Sequence, residues 1–255
     1  MGSKFLQAFL SNAAFDCEEM LPRVSNRTIN FKEVLVFCQN YRFMGITLLF
    51  LFGETDALQS YLYKSGRAFL YFLEQADERA LVTSKSRPFF DAIAALDFDG
   101  AGQIALALPK ARSEVEYEED FLYFLFLRKH AFLQAAEAEC ADILAQWEQA
   151  LQGAADPRLD VCKALLAHDD ALFDDALLRF LEEAEAKWAR LAEHDAVSQE
   201  ELATEGHLSV EGLALVALAE RFGMKTRSDY LFIPSSARAQ TAPVASPDAW
   251  RVVRT

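Results

Sequence analysis

Short segments that combine aspartate with glycine or histidine are the first candidates for chemistry in this sequence. Asp97, Asp99 and Gly100 stand in an order that resembles the start of a calcium-binding loop, but the later acids and the closing glutamate of such a loop are missing. His168 precedes two aspartates, a combination that can ligate metals, yet these residues are equally favourable at helix ends without a metal. We therefore interpret both segments as helix caps and expect no metal.

Motifs for covalent or nucleotide-dependent catalysis are missing from the chain. It contains no G-x-S-x-G, no G-x-G-x-x-G and no H-E-x-x-H segment. Its four histidines fall where helices should end or meet, so nothing supports a cysteine–histidine pair. We expect a protein that is not an enzyme and uses no cofactor. The alternative is an all-helical enzyme with an unrecognised site, which a buried pair of titratable side chains in a cleft would favour.

Two dense runs of acidic residues offer a different chemistry, the binding of a positively charged surface. Acids in a first helical turn stabilise the helix dipole, but acids beyond that turn bring like charges together at a cost. Each run is therefore either a solvated helix face or part of a binding face for a basic protein. The candidate binding residues are Glu114, Glu116, Glu118, Glu119, Asp120, Asp169, Asp170, Asp174 and Asp175.

The distribution of charge along the chain is compatible with both interpretations, a basic partner or a well-solvated surface. The net charge is −14 over 255 residues. Residues 1–113 are neutral overall, whereas residues 114–233 hold 26 acidic and 10 basic side chains. Phosphate binding needs basic patches, so this layout argues against nucleic acid as a direct partner.

Cysteine usage and hydropathy indicate the compartment. Cys17, Cys38, Cys140 and Cys162 are far apart and lie among apolar helical positions, which predicts buried free thiols in a reducing environment. The most lipid-like run, at positions 43–52, is about half the length that a membrane span needs. We expect a cytoplasmic protein that has no membrane partner.

Hydrophobic residues recur at helical spacing along most of the chain, which predicts an all-α fold. A stripe from Phe31 to Phe52 ends at Gly53, and a second from Leu58 to Leu73 follows after a very short turn. Thr55 or Asp56 is placed to cap the second helix. The two stripes therefore predict an antiparallel helical hairpin at the centre of the fold.

Capping signals divide the rest of the chain into further helices. Ser113 and Glu116 have the S-x-x-E spacing of a capping box, so a helix is predicted to begin there and to carry the acidic head and the aromatic run 121–127. The segment Val210 to Phe222 is predicted to end at Gly223. Other starts are predicted at Pro88, at Asp97 or Asp99, at Asp156 with Pro157, at Asp169 or Asp170, and at Ser198 with Glu201.

These elements indicate one all-helical domain over residues 1–233 and a Pro-rich extended tail over residues 234–255. Trp250 is the obvious residue to anchor that tail on the body. Residues 89–106 and 161–178 both place small residues on a helix, an acidic turn and a second helix. This similarity predicts a compact bundle of antiparallel hairpins with partial tetratricopeptide-like character, without a strict 34-residue period.

Several of these segments resemble the immunity proteins of bacterial polymorphic toxins, specifically the family numbered 49. The resemblance covers roughly residues 30–235 and is carried mainly by YLYKSGRAFLYFLE (61–74), FFDAIAALDFDGAGQIA (89–105), EVEYEEDFLYFLFL (114–127), GLALVALAERFGM (212–224) and DYLFIP (229–234). It implies a non-enzymatic inhibitor that binds a cognate toxin, often a nuclease, delivered by a contact-dependent system such as type VI secretion. The family supplies no inhibitory residue that can be carried over to this chain.

Two hypotheses for the function follow. In the first, the acidic half occludes the basic surface of a cognate toxin, probed by reversing Glu118, Glu119 and Asp120 together. In the second, the chain is a helical-repeat adaptor or secretion chaperone that holds an effector segment in an apolar groove. High salt weakens electrostatic capture much more than groove burial, so it separates the two. The sequence leaves open the oligomeric state and the identity of the toxin.

Overall fold

The helical periodicity of the sequence produces eleven α-helices in the described residues, 4–254, of a computed structural model. No β-strand occurs in this part of the chain, and a single antiparallel bridge joins Tyr230 and Ile233. The all-α prediction is confirmed. The helices are α1 (Leu6–Ser25), α2 (Phe31–Phe52), α3 (Thr55–Leu73), α4 (Pro88–Ala94), α5 (Phe98–Ala107), α6 (Glu118–Ala131), α7 (Glu137–Leu151), α8 (Pro157–Ala167), α9 (Asp170–Glu193), α10 (Gln199–Ala203) and α11 (Val210–Arg221).

The central hairpin is formed by α2 and α3, which pack against each other more extensively than any other pair of helices. Asn30 and Glu33 form a capping box that starts α2, and Gly53 ends it in the left-handed conformation, with φ of 71°. A Cβ atom at Gly45 would lie 3.1 Å from the Cβ of Tyr61, so the absence of a side chain there permits the close helix crossing. The predicted hairpin is confirmed, although Thr55 and Asp56 do not cap α3.

Helix α2 is longer than the ten-residue apolar run at positions 43–52 of the sequence. By length and composition its 22 residues are sufficient to cross a membrane. In the folded chain, 67% of its most apolar 18-residue window is buried inside the bundle, as in the core helix of a soluble protein.

Around this hairpin, α1 covers α2, α4 packs on α3 and α11, and α6 to α9 form a second group of neighbouring helices. The buried apolar side chains form one continuous cluster that includes residues of α1 and α11. All four cysteines are buried free thiols, as predicted. The described residues thus form a single compact domain.

Most of the predicted helix starts are confirmed because their caps are local. Asp97, Asp156 and Asp169 each accept hydrogen bonds from backbone amides in the first turn of α5, α8 and α9. Ser198 and Glu201 form the predicted capping box, and Gly223 follows α11 with φ of 80°.

The C-terminal segment lies against the central hairpin. Trp250 is buried next to Tyr71, at 4.9 Å between ring centroids, and the Tyr41 hydroxyl donates to the Trp250 carbonyl. Lys64 donates to the Val252 carbonyl at 2.8 Å. The expectation that Trp250 anchors this segment is confirmed, while the domain boundary at 233 and the repeat-like relation between the two helix pairs stay predictions.

Candidate functional site

The first acidic run is divided by the fold. Helix α6 begins at Glu118, not at Ser113, so the predicted capping box there is wrong. Glu116 is only 5% exposed, and its carboxylate accepts from the backbone amides of Ser84 at 2.6 Å and Ser113 at 3.0 Å. Glu116 therefore stabilises the loop before α6 and is not accessible to a partner.

The other acids of this run differ in whether a basic side chain of the same protein pairs with them. Glu114 and Glu118 are exposed, and within the described residues neither they nor Glu119 have a hydrogen bond or an ion pair. Asp120 accepts from the Arg158 guanidinium at 2.8 Å. Glu114, Glu118 and Glu119 are consequently the members of the run that keep an unsatisfied charge.

The second acidic run mainly fixes α9 in place. Asp169 caps the helix, and Asp170 accepts from the backbone amide of Lys225 at 3.0 Å. Asp174 accepts from Arg227 Nε at 3.0 Å and from the Tyr230 hydroxyl. Asp175 alone is exposed without such a partner among the described residues. This run ties α9 to the segment after α11, which leaves little free charge for binding.

The structure brings the first acidic run next to a different part of α9. Glu119 and Asp120 line a cleft of about 480 Å³, whose lining also includes Phe180, Glu183 and Trp188 of α9. None of the acids of the second run lines this cleft. The two predicted acidic runs therefore do not form one cleft, and Glu183 joins Glu119 instead.

The floor of the cleft is a buried network of charges. Arg42 donates from Nε and Nη2 to the two oxygens of Asp91, at 2.7 and 2.8 Å, and from Nη1 to Glu205 at 2.7 Å. Arg87 approaches the other oxygen of Glu205 at 3.3 Å, and the Ser65 hydroxyl donates to Asp91. Every acid in this network has a basic partner, so the floor is electrically balanced.

The pKa of Glu205 reflects this balance. Burial alone would raise it, but the guanidinium groups of Arg87 and Arg42 outweigh burial and hold the pKa below its ordinary value of 4.5. Glu205 is therefore a carboxylate that is paired and charged at neutral pH. A general acid would need the opposite shift.

Sequence reasoning missed this network because its members are far apart along the chain. Arg42 belongs to α2, Asp91 to α4, and Glu205 follows α10. The one available signal was the placement of Arg42 and Asp91 in otherwise apolar helical segments, where a charge needs a partner.

The residues that suggested a metal or catalysis have structural roles. Asp97 caps α5 and pairs with Arg67 at 2.6 Å. No group of three or more histidine, cysteine or acidic side chains that could hold a metal occurs in the described part of the chain. His130 lies 6.4 Å from His168 between ring centroids, with Phe222 against both. Burial, together with His168, lowers the pKa of His130.

Comparison with known proteins gives one family. The model of the family described as Immunity protein 49 matches residues 66–237, which include both acidic runs and α9. No curated protein and no solved structure matches the chain.

Proposed function

Since the chain belongs to the Immunity protein 49 family, we propose that it protects its own cell by binding and neutralising a cognate antibacterial toxin. The inhibition is stoichiometric and needs no catalysis by this chain. The toxin arrives by contact-dependent delivery, such as type VI secretion, and the complex forms in the cytoplasm. The family match carries the general role, and the surface around the head of α6 supports the binding mode.

The segment 114–119, which leads into α6 and includes its first two residues, combines unpaired acids with exposed apolar side chains. Val115 is 72% exposed and Tyr117 is 74% exposed. They stand among Glu114, Glu118 and Glu119, which have no partner in the described residues. Exposed tyrosine is typical of residues that dominate binding energy, and charges around it select the partner. We define residues 114–119, without the buried Glu116, as the acidic rim.

A basic nuclease domain is the toxin that this rim fits best. A nuclease holds its phosphate backbone substrate with lysine and arginine side chains, so an acidic protein competes for the same surface. The net charge of −16 over residues 114–233 adds long-range attraction that speeds association. The protein itself binds no nucleic acid in this proposal.

Charge reversal tests the proposal directly. The variant Glu114→Lys/Glu118→Lys/Glu119→Lys changes two exposed side chains and one half-buried one, none of which has a hydrogen bond or ion pair with a described residue. Each lost attraction is worth about 0.5–1 kcal/mol at an exposed site, and the new lysines add repulsion, so we expect an approximately 100-fold weaker complex. Cells that co-express the toxin should lose protection. The fold should persist, as judged by circular dichroism.

The matched control is Asp16→Lys/Glu19→Lys/Asp142→Lys. It changes the net charge by the same amount at exposed acids that also have no partner in the described residues. We expect affinity within about threefold of wild type, because only long-range attraction is altered. Equal weakening by both variants would show that net charge matters and the rim does not.

The cleft gives the adaptor alternative one supporting observation, since Phe180 and Trp188 line its wall. A groove that buries an effector segment through such side chains should bind almost equally in 50 mM and 500 mM salt. Capture by the acidic rim should weaken at least tenfold over the same range.

A further inference from the structure

The outer half of α9 is a helical arm whose inner face remains incompletely covered. Leu181 is the last buried residue of this helix, although the helix continues to Glu193. Beyond that point Ala184, Trp188 and Leu191 continue the helical stripe, and all three are only partly buried. A helical segment of this length receives little stability from its own hydrogen bonds in water, so a stripe of this kind is suited to contact with a partner.

Acidic side chains outnumber basic ones in the lining of the cleft beneath the arm. Seven acidic and four basic side chains line it, a net charge of −3. Arg42 and Arg87 neutralise Asp91 and Glu205 in the floor. On the walls, Glu119, Glu183 and one base, Lys187, have no hydrogen bond or ion pair with any described residue.

We propose that this cleft receives a basic segment of the toxin, whose arginine or lysine is bound by Glu119 and Glu183 and packs its aliphatic stem against Trp188. The inference rests on the proposed function and adds where the partner inserts. Charge complementarity selects the occupant, because nucleic acid and acidic peptides are repelled. Long cationic side chains also place apolar methylenes against aromatic rings, which this wall offers.

Tryptophan fluorescence reports occupation of the cleft without any substitution. The chain has three tryptophans, of which Trp147 and Trp250 are buried and Trp188 is partly exposed in the cleft wall. Acrylamide should therefore quench mainly Trp188. The probe is a toxin domain against which this protein protects co-expressing cells, inactivated by substitution at its own active site and with its tryptophans replaced by phenylalanine.

On addition of one equivalent of the probe, we expect acrylamide quenching of Trp188 to fall at least threefold. Glu183→Lys should weaken binding at least tenfold. The control Glu182→Lys/Glu185→Lys changes twice the charge at exposed acids on the same arm that do not line the cleft, and it should stay within about threefold of wild type.

Three results would overturn the inference in distinguishable ways. Tight binding with unchanged quenching of Trp188 would place the toxin elsewhere and leave the proposed function intact. Protection of Trp188 that rises with the concentration of this protein alone would identify a second copy as the occupant. Absence of any complex with the wild-type protein would refute the proposed function, and the inference with it.

Discussion

Removing Asp91 from the floor of the cleft should strongly destabilise the protein. The side chains of Arg42 and Asp91 are 4% and 1% exposed, and two hydrogen bonds join them. Asp91→Ala leaves two guanidinium donors and the Ser65 hydroxyl without this acceptor. Breaking a buried ion pair in this way costs about 3–5 kcal/mol, because the remaining charge stays desolvated. In a domain of this size the loss lowers the melting temperature by about 10 °C.

Urea unfolding followed by circular dichroism and tryptophan fluorescence measures this loss. The control is Arg42→Met/Asp91→Leu/Glu205→Leu, which removes the three buried ions of the network and leaves Arg87, whose side chain is 52% exposed. Buried ion networks replaced by apolar side chains are commonly as stable as the original, so we expect this triple variant within about 1 kcal/mol of wild type, or more stable.

The reasoning is refuted if Asp91→Ala costs less than about 1 kcal/mol, since a desolvated pair cannot be broken so cheaply. It is also refuted if the triple variant is as unstable as the single one. The loss would then come from packing, which both variants disturb, and not from uncompensated charge.

Three further predictions concern stability. Burial lowers the pKa of Lys64 to about 8, so below pH 8 the folded protein carries a desolvated charge that destabilises it, and this loss disappears as the pH rises. In urea titrations the free energy of unfolding of Lys64→Met relative to wild type should therefore fall by on the order of 2 kcal/mol between pH 7 and 10.5. A Cβ at Gly66 would lie 2.8 Å from the Cβ of Ala92, so Gly66→Ala should cost about 1–3 kcal/mol. A Cβ at Gly102 in α5 would make only an ordinary contact of 3.6 Å with Phe132, so Gly102→Ala should stabilise by about 0.5–1 kcal/mol. Arg128 donates to three backbone carbonyls at 2.7–2.9 Å. Thermal unfolding of Arg128→Met should therefore show a free energy of unfolding lower by about 3–5 kcal/mol, and a loss below about 1 kcal/mol would contradict a stabilising role of these buried bonds.

The features that sequence could predict are those decided within a few residues. Asp156 followed by proline starts α8, and Ser198 with Glu201 starts α10, because each cap closes on its own first turn. The same spacing failed at Ser113 and Glu116. There the carboxylate also accepts from Ser84, a residue 32 positions earlier, and this tertiary contact holds the segment as a turn.

The candidate site was predictable only in part, for the same physical reason. The start of α6 carries unpaired acids, as its sequence suggested. Asp170 and Asp174, however, accept hydrogen bonds from a backbone amide and from side chains more than 50 positions away, which sequence spacing does not reveal. The cleft forms by tertiary packing, between α9 and segments that are distant from it in the sequence. Glu183 and Trp188 could not be identified as site residues from the sequence, because the other residues that line the cleft come from distant elements.

The central claim is most directly tested with an active toxin chosen by co-expressing candidates with this protein and scoring survival. That toxin is titrated with the purified protein, and the remaining toxin activity is measured. Neutralisation by binding predicts that activity falls linearly and reaches its minimum at one equivalent. It also predicts that the variant Glu114→Lys/Glu118→Lys/Glu119→Lys shifts the curve to about 100-fold higher concentration. Toxin that keeps full activity in the presence of excess wild-type protein would contradict the account.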